Sequence, residues 1–485
     1  MINDKYEEYY DKQFMSYYNK NKMNNEDEIC DIPHPYSIPT EKRELLYNLE
    51  VYTIDPSGSE DADDAFSLEN DEKTGKLYLY IHISDPTEYI NLHSKLWKQI
   101  CRQGYTMYPS NRKPIHLMPQ SIMTLASLHD KNNSETCKNA ITIKVHIDET
   151  TYQVNINDIT IIPSHIKIKK DNAYAYNDAK QIIKNNTKIN ICLKIADNLR
   201  NARGEYAVKL SNVNNAYPVY NNTDKRVELY LDSDDEVKMK QMIAEFAILS
   251  NNIIAEYITS NLKEKHNIFR CCDLKKEDKT NFKNKSGNEI IEYIVSNGVR
   301  ACYNSIKTNH DLVQKQYYVH FTSPLRRAND CVCHYIVKYI IIKKNNEKIV
   351  FPFKKDNLFK IMKNFNETNK SIKKMQYNDM KYRTVQAMDN ILHKNVLKQS
   401  AIAIKFKILS YSGIFLNICI VNIDQYPVYL IMFFKRQFLN HEKIINLIRN
   451  NVILYGTIRT IYFQESVLDA GKFPELEQFL TSFLY

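Results

Sequence analysis

The spacing of apolar and polar residues predicts β-strands in two separate parts of the chain. In the first part, Leu77–Ser84 is a run of apolar and tyrosine residues, and Ala140–Ile147 alternates so that every second side chain falls on one face. After residue 398 a strand-like pattern returns in four stretches: Ala401–Leu409, Phe415–Val421, Val428–Phe434 and Val452–Phe463. These four strands predict a small β-barrel at the C-terminal end.

Helical spacing dominates between these two parts. Apolar residues at intervals of three and four predict a long helix over Glu236–Leu262 and two more over Asp330–Ile342 and Lys363–Asn390. A shorter helix is predicted over Leu92–Cys101, between the two early strands. The pattern as a whole predicts an α+β body followed by the small barrel.

Three segments follow from this organisation. Residues 1–38 are polar and irregular, and they are predicted to form a tail or a linker that wraps on a surface. Residues 39–397 hold the α+β body, and residues 398–485 hold the predicted β domain. The chain shows no internal repeat.

Composition narrows the classes of protein only slightly. Of the 485 residues 43% are hydrophobic, and the formal charge of +9 is a weak indication of a polyanionic partner that an ordinary soluble protein would show equally well. The ten cysteines include no C-x-x-C pair, which argues against a structural zinc site and favours reduced thiols. No apolar run reaches the length of a membrane span and the N-terminus does not resemble a secretory signal, so we expect an intracellular, most simply cytoplasmic, protein.

The strongest candidate for chemistry is a group of four aspartates within ten residues: Asp55, Asp61, Asp63 and Asp64. A short apolar run leads into the group, and Pro56 and Gly58 then impose a turn. Carboxylates this close repel one another, and hard divalent cations such as Mg²⁺ neutralise them well. A solvated acidic loop is the alternative, whereas a calcium loop fails because Phe66 occupies the position that requires glycine.

A second candidate lies in the stretch Tyr318–Arg327. Thr322 or Ser323 could cap a helix that begins at Pro324 and runs to about Ile342, which would place two arginines, Arg326 and Arg327, in its first turn. Backbone N–H groups, the helix dipole and guanidinium groups would then form a phosphate site. An ordinary capped helix with surface arginines is the alternative.

Both stretches resemble the motifs of the ribonuclease II/R (RNB) family. The stretch from Thr53 to Ala65 has the spacing T-I-D-P, four residues, then D-x-D-D-A, and Tyr318–His334 resembles Y-x-H-F-T-S-P-I-R-R-Y-x-D-x-x-x-H. Shorter matches follow in order at Leu79–Asp85, Gly104–Pro119, Ser127-Leu128, Glu245–Asn251 and Arg270. The resemblance covers about residues 40 to 395.

The resemblance implies a fold and an activity. The fold is an RNB catalytic domain, with a mixed sheet surrounded by helices and an RNA channel, followed by an S1/OB-like barrel. The activity is 3′→5′ exonucleolytic hydrolysis of single-stranded RNA to nucleoside 5′-monophosphates. The cofactor is Mg²⁺, or Mn²⁺ in its place, held by the four aspartates, and the chain is expected to act as a monomer.

The resemblance also assigns roles to single residues. Asp63 corresponds to the aspartate most critical for cleavage, Arg326 to the arginine that holds the scissile phosphate, and Arg327 to its neighbour. Tyr108 falls where an aromatic side chain stacks on the 3′-terminal base. The remaining candidates for RNA binding are Ser323, His320 and Glu245. Because metal-activated water needs no histidine base, His320 and His334 are expected to be structural or hydrogen-bonding residues, and Glu245 faces either the RNA channel or solvent.

The sequence departs from the family pattern in three places. Ala328 stands where the family usually has tyrosine, and Pro86 and Glu88 interrupt the end of a family strand. Family members carry two cold-shock barrels ahead of the catalytic domain, and the residues before about 40 cannot hold one, so we expect a short form with a weaker grip on RNA and lower processivity.

Two other functions stay open at this level. A catalytically inactive RNB-fold protein that binds RNA or acts as a scaffold would keep the same shell. A metal-dependent endonuclease or an enzyme that acts on DNA could use the same acidic group. The presence of all four aspartates and both arginines favours the exoribonuclease.

Overall fold

A computed structural model describes residues 33–458, with gaps at 73, 111, 130–132, 222, 224–225, 263–266, 346–347, 395–401, 413–414 and 436–440, together with residues 12, 14–16 and 19. Its strands are β1 (Glu44–Leu46), β2 (Thr53–Asp55), β3 (Asp64–Asn70), β4 (Leu77–Ser84), β5 (Glu135–Ile147), β6 (Val154–Lys169), β7 (Ala173–Ala175), β8 (Tyr217–Asn221), β9 (Arg226–Tyr230), β10 (Phe269–Cys271), β11 (Cys302–Asn304), β12 (Ile402–Ser412), β13 (Phe415–Ile423), β14 (Tyr426–Lys435) and β15 (Leu454–Ile458). Its α-helices are α1 (Lys95–Gln103), α2 (Gln120–Ala126), α3 (Ala179–Asn185), α4 (Thr187–Arg203), α5 (Glu205–Ser211), α6 (Asp234–Asn261), α7 (Lys276–Asn281), α8 (Gly287–Ser296), α9 (Ala328–Lys344), α10 (Lys355–Lys394) and α11 (His441–Arg449).

The body is organised around a five-stranded mixed sheet in the order β1-β6-β5-β4-β3. Strand β1 runs parallel to β6, and the other neighbours are antiparallel. Strand β4 is buried along its whole length, because alternate side chains enter apolar clusters on the two faces of the sheet. This two-sided burial explains why Leu77–Ile83 is apolar or aromatic at every position rather than alternating with polar residues. The strand predicted over Ala140–Ile147 is also confirmed, and it begins earlier, at Glu135.

The four helices predicted from apolar spacing are confirmed as α1, α6, α9 and α10, with different ends. Helix α6 begins with a capping box in which Ser233 and Glu236 each accept from the other's backbone N–H. It packs on the sheet through Phe246, whose ring centroid lies 5.6 Å from that of Phe66. Helix α10 spans Lys355–Lys394, which is longer than predicted. Among the helices of the described residues, none has both the length and the apolar character needed to cross a membrane.

The described end of the predicted N-terminal tail packs into the body. His34, Tyr36 and Ile38 are all buried. The His34 ring contacts the Thr87 carbonyl oxygen through Nε2 at 2.8 Å, and the Tyr36 hydroxyl donates to the carbonyl oxygen of Val350 at 2.9 Å. These residues are therefore packed into the α+β body rather than wrapped on its surface.

Four buried charged side chains join the sheet to helix α9. Lys338 Nζ lies 2.8 Å from both Asp85 Oδ2 and Glu88 Oε2, and Arg43 Nη2 lies 2.7 Å from the same two atoms. All but Glu88, which is 9% exposed, have side chains with no exposed surface. Glu88, a departure from the family pattern, thus completes a balanced set of two cations and two carboxylates. We call Arg43, Asp85, Glu88 and Lys338 the charge quartet.

The C-terminal part contains an antiparallel sheet in the order β14-β13-β12-β15. Its apolar face shares one cluster with the end of α10, the β8–β9 hairpin and helix α11. Three of the four predicted strands are confirmed, and the fourth is described only over Leu454–Ile458, with the rest of Val452–Phe463 outside the described residues. This sheet is consistent with an OB-like domain.

Candidate active site

The four aspartates come together because the chain reverses direction between two neighbouring strands. Asp55 is the last residue of β2, and Asp64 is the first residue of β3. Gly58 adopts φ +80°, which permits the tight turn closed by Ser59 N–H donating to the Pro56 carbonyl at 3.0 Å. Tyr52, directly before β2, pairs antiparallel with Phe66 of β3, so the loop that carries the aspartates is closed at its base.

The negative charge of this cluster is only partly compensated by the protein. Burial, followed by the charges of Asp64, Asp63 and Asp61, raises the pKa of Asp55 to about 8. Burial also raises the pKa of Asp63 to about 7 and that of Asp64 to about 6, even though Arg326 acts in the opposite direction on both. A site that resists ionisation of its own carboxylates in this way would be stabilised by an additional cation.

Asp63 connects the acidic cluster to the basic stretch. Its Oδ1 accepts the Leu325 backbone N–H at 2.7 Å, and its Oδ2 accepts Arg326 Nε at 3.0 Å. The Asp63 side chain is 6% exposed, whereas the Arg326 side chain is 47% exposed. The acidic and basic motifs are therefore in direct contact, although they lie more than 250 residues apart in the sequence.

The prediction of a helix beginning at Pro324 is wrong. Helix α9 begins at Ala328, so Arg326 and Arg327 precede it, and neither Thr322 nor Ser323 is its cap. Two backbone groups of this stretch are bound by a distant segment: Thr106 N–H donates to the Arg326 carbonyl at 3.0 Å, and the Ala328 N–H donates to the Gly104 carbonyl at 2.9 Å. The Arg326 carbonyl and the Ala328 N–H are therefore paired with an extended segment, and the arginines lie before the first turn of the helix.

Asp330 and Ser323 hold the arginines in place. Asp330 Oδ1 accepts both the Ser323 N–H and Arg327 Nη2, each at 2.8 Å. Ser323 Oγ in turn accepts Arg326 Nη2 at 2.9 Å. Ser323 is buried, so the geometry makes it a support for Arg326 more readily than a direct contact to RNA.

Beside the aspartates lies a cleft of about 190 Å³ lined by cations and aromatic rings. Its lining includes Tyr105, Tyr108, Arg270, Tyr303, His320, Arg326, Arg327 and Lys373. Tyr108 is 41% exposed at this cleft. Tyr303 and Lys373 were not singled out from the sequence, because a chain with 35 tyrosines and many lysines gives no local pattern that distinguishes them.

His320 is held neutral in the wall of the cleft. Burial, followed by Arg327, Arg270 and further cations, keeps its pKa well below the usual value. Its Nδ1 lies 2.8 Å from the Tyr303 hydroxyl, and the Arg270 guanidinium lies 4.8 Å from the centre of the Tyr303 ring. His320 therefore contributes a hydrogen-bonding ring to the cleft without adding charge.

Glu245 and His334 lie outside the cleft. Glu245 sits on α6 as predicted, but it is 3% exposed and forms a buried ion pair with Arg203, so it faces neither solvent nor the cleft. His334 is fully buried, stacks on Phe321 with ring centroids 4.0 Å apart, and contacts the Phe321 carbonyl through Nε2 at 3.1 Å. The geometry supports a structural role for both.

The donor set of the acidic cluster suits Mg²⁺, which prefers carboxylate oxygen ligands. Within the described residues, no three acidic, histidine or cysteine side chains already converge in the arrangement of a finished metal site. Asp63 uses both of its oxygens on Leu325 and Arg326. The four carboxylates thus match Mg²⁺ in donor type and charge, although Asp63 would have to exchange one of its present partners to bind it.

Comparison with known proteins gives the family. The model of the "RNB domain" matches residues 43–343. Among curated relatives, "Ribonuclease II, chloroplastic/mitochondrial" of Arabidopsis thaliana is 23% identical over 357 residues, which are 70% of this chain and 42% of the relative. "Ribonuclease R" of Aquifex aeolicus is 30% identical over 154 residues, 31% of this chain and 20% of the relative. The chain thus spans less than half the length of these two relatives.

Solved structures share the fold. Mycoplasma genitalium RNase R in complex with ribose methylated single-stranded RNA has a TM-score of 0.66 at 17% identity, covering 88% of this chain and 72% of that one. Yeast Ssd1, a pseudonuclease, has a TM-score of 0.62 at 15% identity, covering 87% of this chain and 55% of that one. Because the family model matches more than half of the sequence and the fold agrees, this chain belongs to the RNB domain family of ribonuclease II/R-like proteins.

Proposed function

We propose that this chain is a 3′→5′ exoribonuclease that hydrolyses single-stranded RNA to nucleoside 5′-monophosphates. The observation that carries the proposal is the contact between Asp63 and Arg326 at the edge of a cleft lined by cations and aromatic rings. A carboxylate cluster suits a metal, and a half-exposed arginine beside it suits a phosphate. Their direct juxtaposition is the arrangement that hydrolysis of a phosphodiester requires.

Asp55, Asp61, Asp63 and Asp64 would hold Mg²⁺, or Mn²⁺ in its place. The bound metal would activate the attacking water and neutralise charge on the leaving oxygen. Arg326 is exposed enough to leave Asp63 and contact the scissile phosphate. Arg327 is tied to Asp330 and so adds fixed positive charge behind Arg326. The cleft then binds the 3′-terminal nucleotides through Arg270, Lys373 and the exposed ring of Tyr108.

Metal removal tests the proposal directly. A 5′-labelled, unstructured 30-nucleotide RNA should shorten from its 3′ end to a small core in the presence of Mg²⁺, because water activation depends on the metal. EDTA should abolish the shortening, and added Mg²⁺ should restore it. Chromatography of the released material should show nucleoside 5′-monophosphates. Internal fragments early in a gel time course would instead indicate an endonuclease, and equal trimming of a matched DNA would remove the preference for RNA.

A second prediction concerns base stacking. Tyr108→Ala should weaken binding of single-stranded RNA by about 1–3 kcal/mol, since stacking of a base on an aromatic ring contributes that much. Tyr108→Phe should bind almost normally, because the Tyr108 hydroxyl makes no hydrogen bond within the described part of the chain. Tyr47→Ala is the matched control: Tyr47 is 39% exposed and does not line the cleft. A fluorescence titration in which Tyr47→Ala and Tyr108→Ala lose RNA affinity equally would contradict the stacking role.

A catalytically inactive RNA-binding protein is the second candidate. It is favoured by the likeness to yeast Ssd1, a pseudonuclease, and by the engagement of both Asp63 oxygens. RNA binding without any shortening in Mg²⁺ or Mn²⁺ would support this candidate over the exoribonuclease.

We also propose that the chain acts as a monomer and is located in the cytoplasm. Light scattering checks the monomer, and imaging of a tagged chain checks the location.

A further inference from the structure

Tyr108 lies between two anchored residues of an extended segment. On its N-terminal side, Met107 exchanges two backbone hydrogen bonds with Ile115, at 2.9 and 3.0 Å. On its C-terminal side, Pro109 has a fixed φ and restricts Tyr108 to extended conformations. The next residue, Ser110, is bound to the long helix α10. The position of the Tyr108 ring therefore depends on how firmly Ser110 is held.

Ser110 is held by a carboxylate and a guanidinium group. Asp379 Oδ2 accepts the Ser110 backbone N–H at 2.8 Å, and Asp379 Oδ1 accepts the Ser110 hydroxyl at 2.7 Å. The same hydroxyl oxygen accepts Arg383 Nε at 2.8 Å. Asp379 is 3% exposed and Arg383 is 1% exposed, so these bonds are shielded from water, which strengthens them.

Arg383 is itself fixed from its other sides. Its Nη1 donates to Gln386 Oε1 at 2.7 Å, and its guanidinium lies 4.9 Å from the ring centre of Tyr220 on β8. Neither Asp379 nor Arg383 lines the cleft. Two buried charged residues are thus directed at a single serine two positions after the candidate stacking residue.

We propose that Ser110, Asp379 and Arg383 are positioning residues that hold Tyr108 in place to stack on the 3′-terminal base. This inference rests on the proposed function, because it assigns these residues to the base-binding end of the same site. A ring that is fixed before RNA arrives loses less conformational freedom on stacking than one on a mobile loop. The three residues thereby increase the contribution of the terminal base to affinity without touching RNA.

The test compares two RNAs that differ only in the 3′-terminal base. Binding of a ten-nucleotide RNA and of the same RNA with an abasic 3′ end is measured in an Asp63→Asn background, which slows degradation. The parent should bind the complete RNA about 10-fold or more tightly than the abasic RNA, and Tyr108→Ala should remove this preference. Ser110→Ala should reduce the ratio of the two affinities several-fold, because it weakens binding of the complete RNA and leaves binding of the abasic RNA unchanged. Asp379→Asn should do the same, and Ser110→Thr, which keeps the hydroxyl, should restore it.

A double-mutant cycle separates positioning from general destabilisation. In a Tyr108→Ala background, Ser110→Ala should have no further effect on either RNA, because it acts through the missing ring. Thr384→Val is the control on α10: the Thr384 hydroxyl donates only to the Met380 carbonyl of its own helix, at 2.9 Å, so the preference should stay intact.

Three outcomes decide the inference. Full preference in both Ser110→Ala and Asp379→Asn, with loss in Tyr108→Ala, would overturn the positioning role and leave the proposed function standing. An equal loss of affinity for both RNAs, or a loss that persists without Tyr108, would also overturn it. Equal binding of the two RNAs by the parent would remove the stacking role of Tyr108, and the inference with it.

Discussion

Asp63→Asn should lower the rate of RNA shortening about 1,000-fold while the protein stays folded and still binds RNA. A metal ion contributes several kcal/mol to transition-state stabilisation, and each 1.4 kcal/mol or so corresponds to a factor of ten. The carboxylate accepts the Leu325 N–H with one oxygen and Arg326 with the other. Asparagine keeps only one of these oxygens, so an NH₂ group faces either Arg326 or the Leu325 N–H. The substitution therefore disturbs the metal-binding charge and the arginine together.

The same variant should not be less stable than the wild type in the absence of metal. Burial raises the pKa of Asp63 to about 7 against the opposing effect of Arg326, which means that folding disfavours the ionised carboxylate near neutral pH. A neutral amide avoids this cost. Thermal melting in EDTA should give an equal or higher midpoint, and a large decrease would show that Asp63 is mainly structural.

Asp158→Asn is the matched control for this experiment. Asp158 is a partly exposed carboxylate that pairs with Lys76 Nζ at 3.1 Å, beside the start of β4. The acidic cluster lies at the other end of that strand, where Asp64 pairs with Ile83. The control makes the same chemical change far from the cluster, and because exposed ion pairs contribute little to stability, it should alter the rate less than about two-fold. A rate loss of similar size in both variants would contradict the assignment of the centre to Asp63.

Lys338→Met should destabilise the fold by about 3–5 kcal/mol, because it leaves buried carboxylates with one cation fewer. Lys338 Nζ is 2.8 Å from both Asp85 and Glu88, and its side chain has no exposed surface. The double variant Lys338→Met, Glu88→Gln restores the charge balance and should recover part of the loss. Denaturant unfolding followed by circular dichroism measures both.

Lys343→Met serves as the control for the charge quartet. Lys343 lies on the same helix and is exposed, so its replacement should change the free energy of unfolding by less than about 0.5 kcal/mol. If Lys338→Met were equally mild, or if the double variant were the least stable of the set, the quartet would not act as a balanced unit.

The charge quartet also fixes the direction of an acid effect. Burial alone would raise the pKa of Asp85, but Lys338, His334 and Arg43 hold it well below its usual value of 3.8. A carboxyl group with a lowered pKa in the folded state stabilises the protein above about pH 4, and this contribution is lost as the pH falls through the folded-state pKa. Unfolding midpoints should therefore fall steeply below pH 4, and this steepness should diminish in Asp85→Asn.

The sequence by itself identified the candidate site residues and the elements that carry them. Four crowded aspartates after a short apolar run, and two arginines after Ser-Pro-Leu, are local patterns whose meaning depends on charge and turn chemistry, so they could be recognised without a structure. The buried strand Leu77–Ser84 and the long helix α6 were predictable for a similar reason, because apolar periodicity records which faces are buried.

Only the tertiary structure decided how these parts meet. Helix α9 starts after the arginines, where Gly104 and Thr106, more than 200 residues earlier, bind the Ala328 N–H and the Arg326 carbonyl. Glu245 faces Arg203, a partner that no periodicity of its own helix could reveal. The charge quartet and the contacts of Ser110 with Asp379 and Arg383 likewise join residues far apart in the chain. Local spacing shows which side chain a position carries, but long-range hydrogen bonds and ion pairs determine which partner it finds.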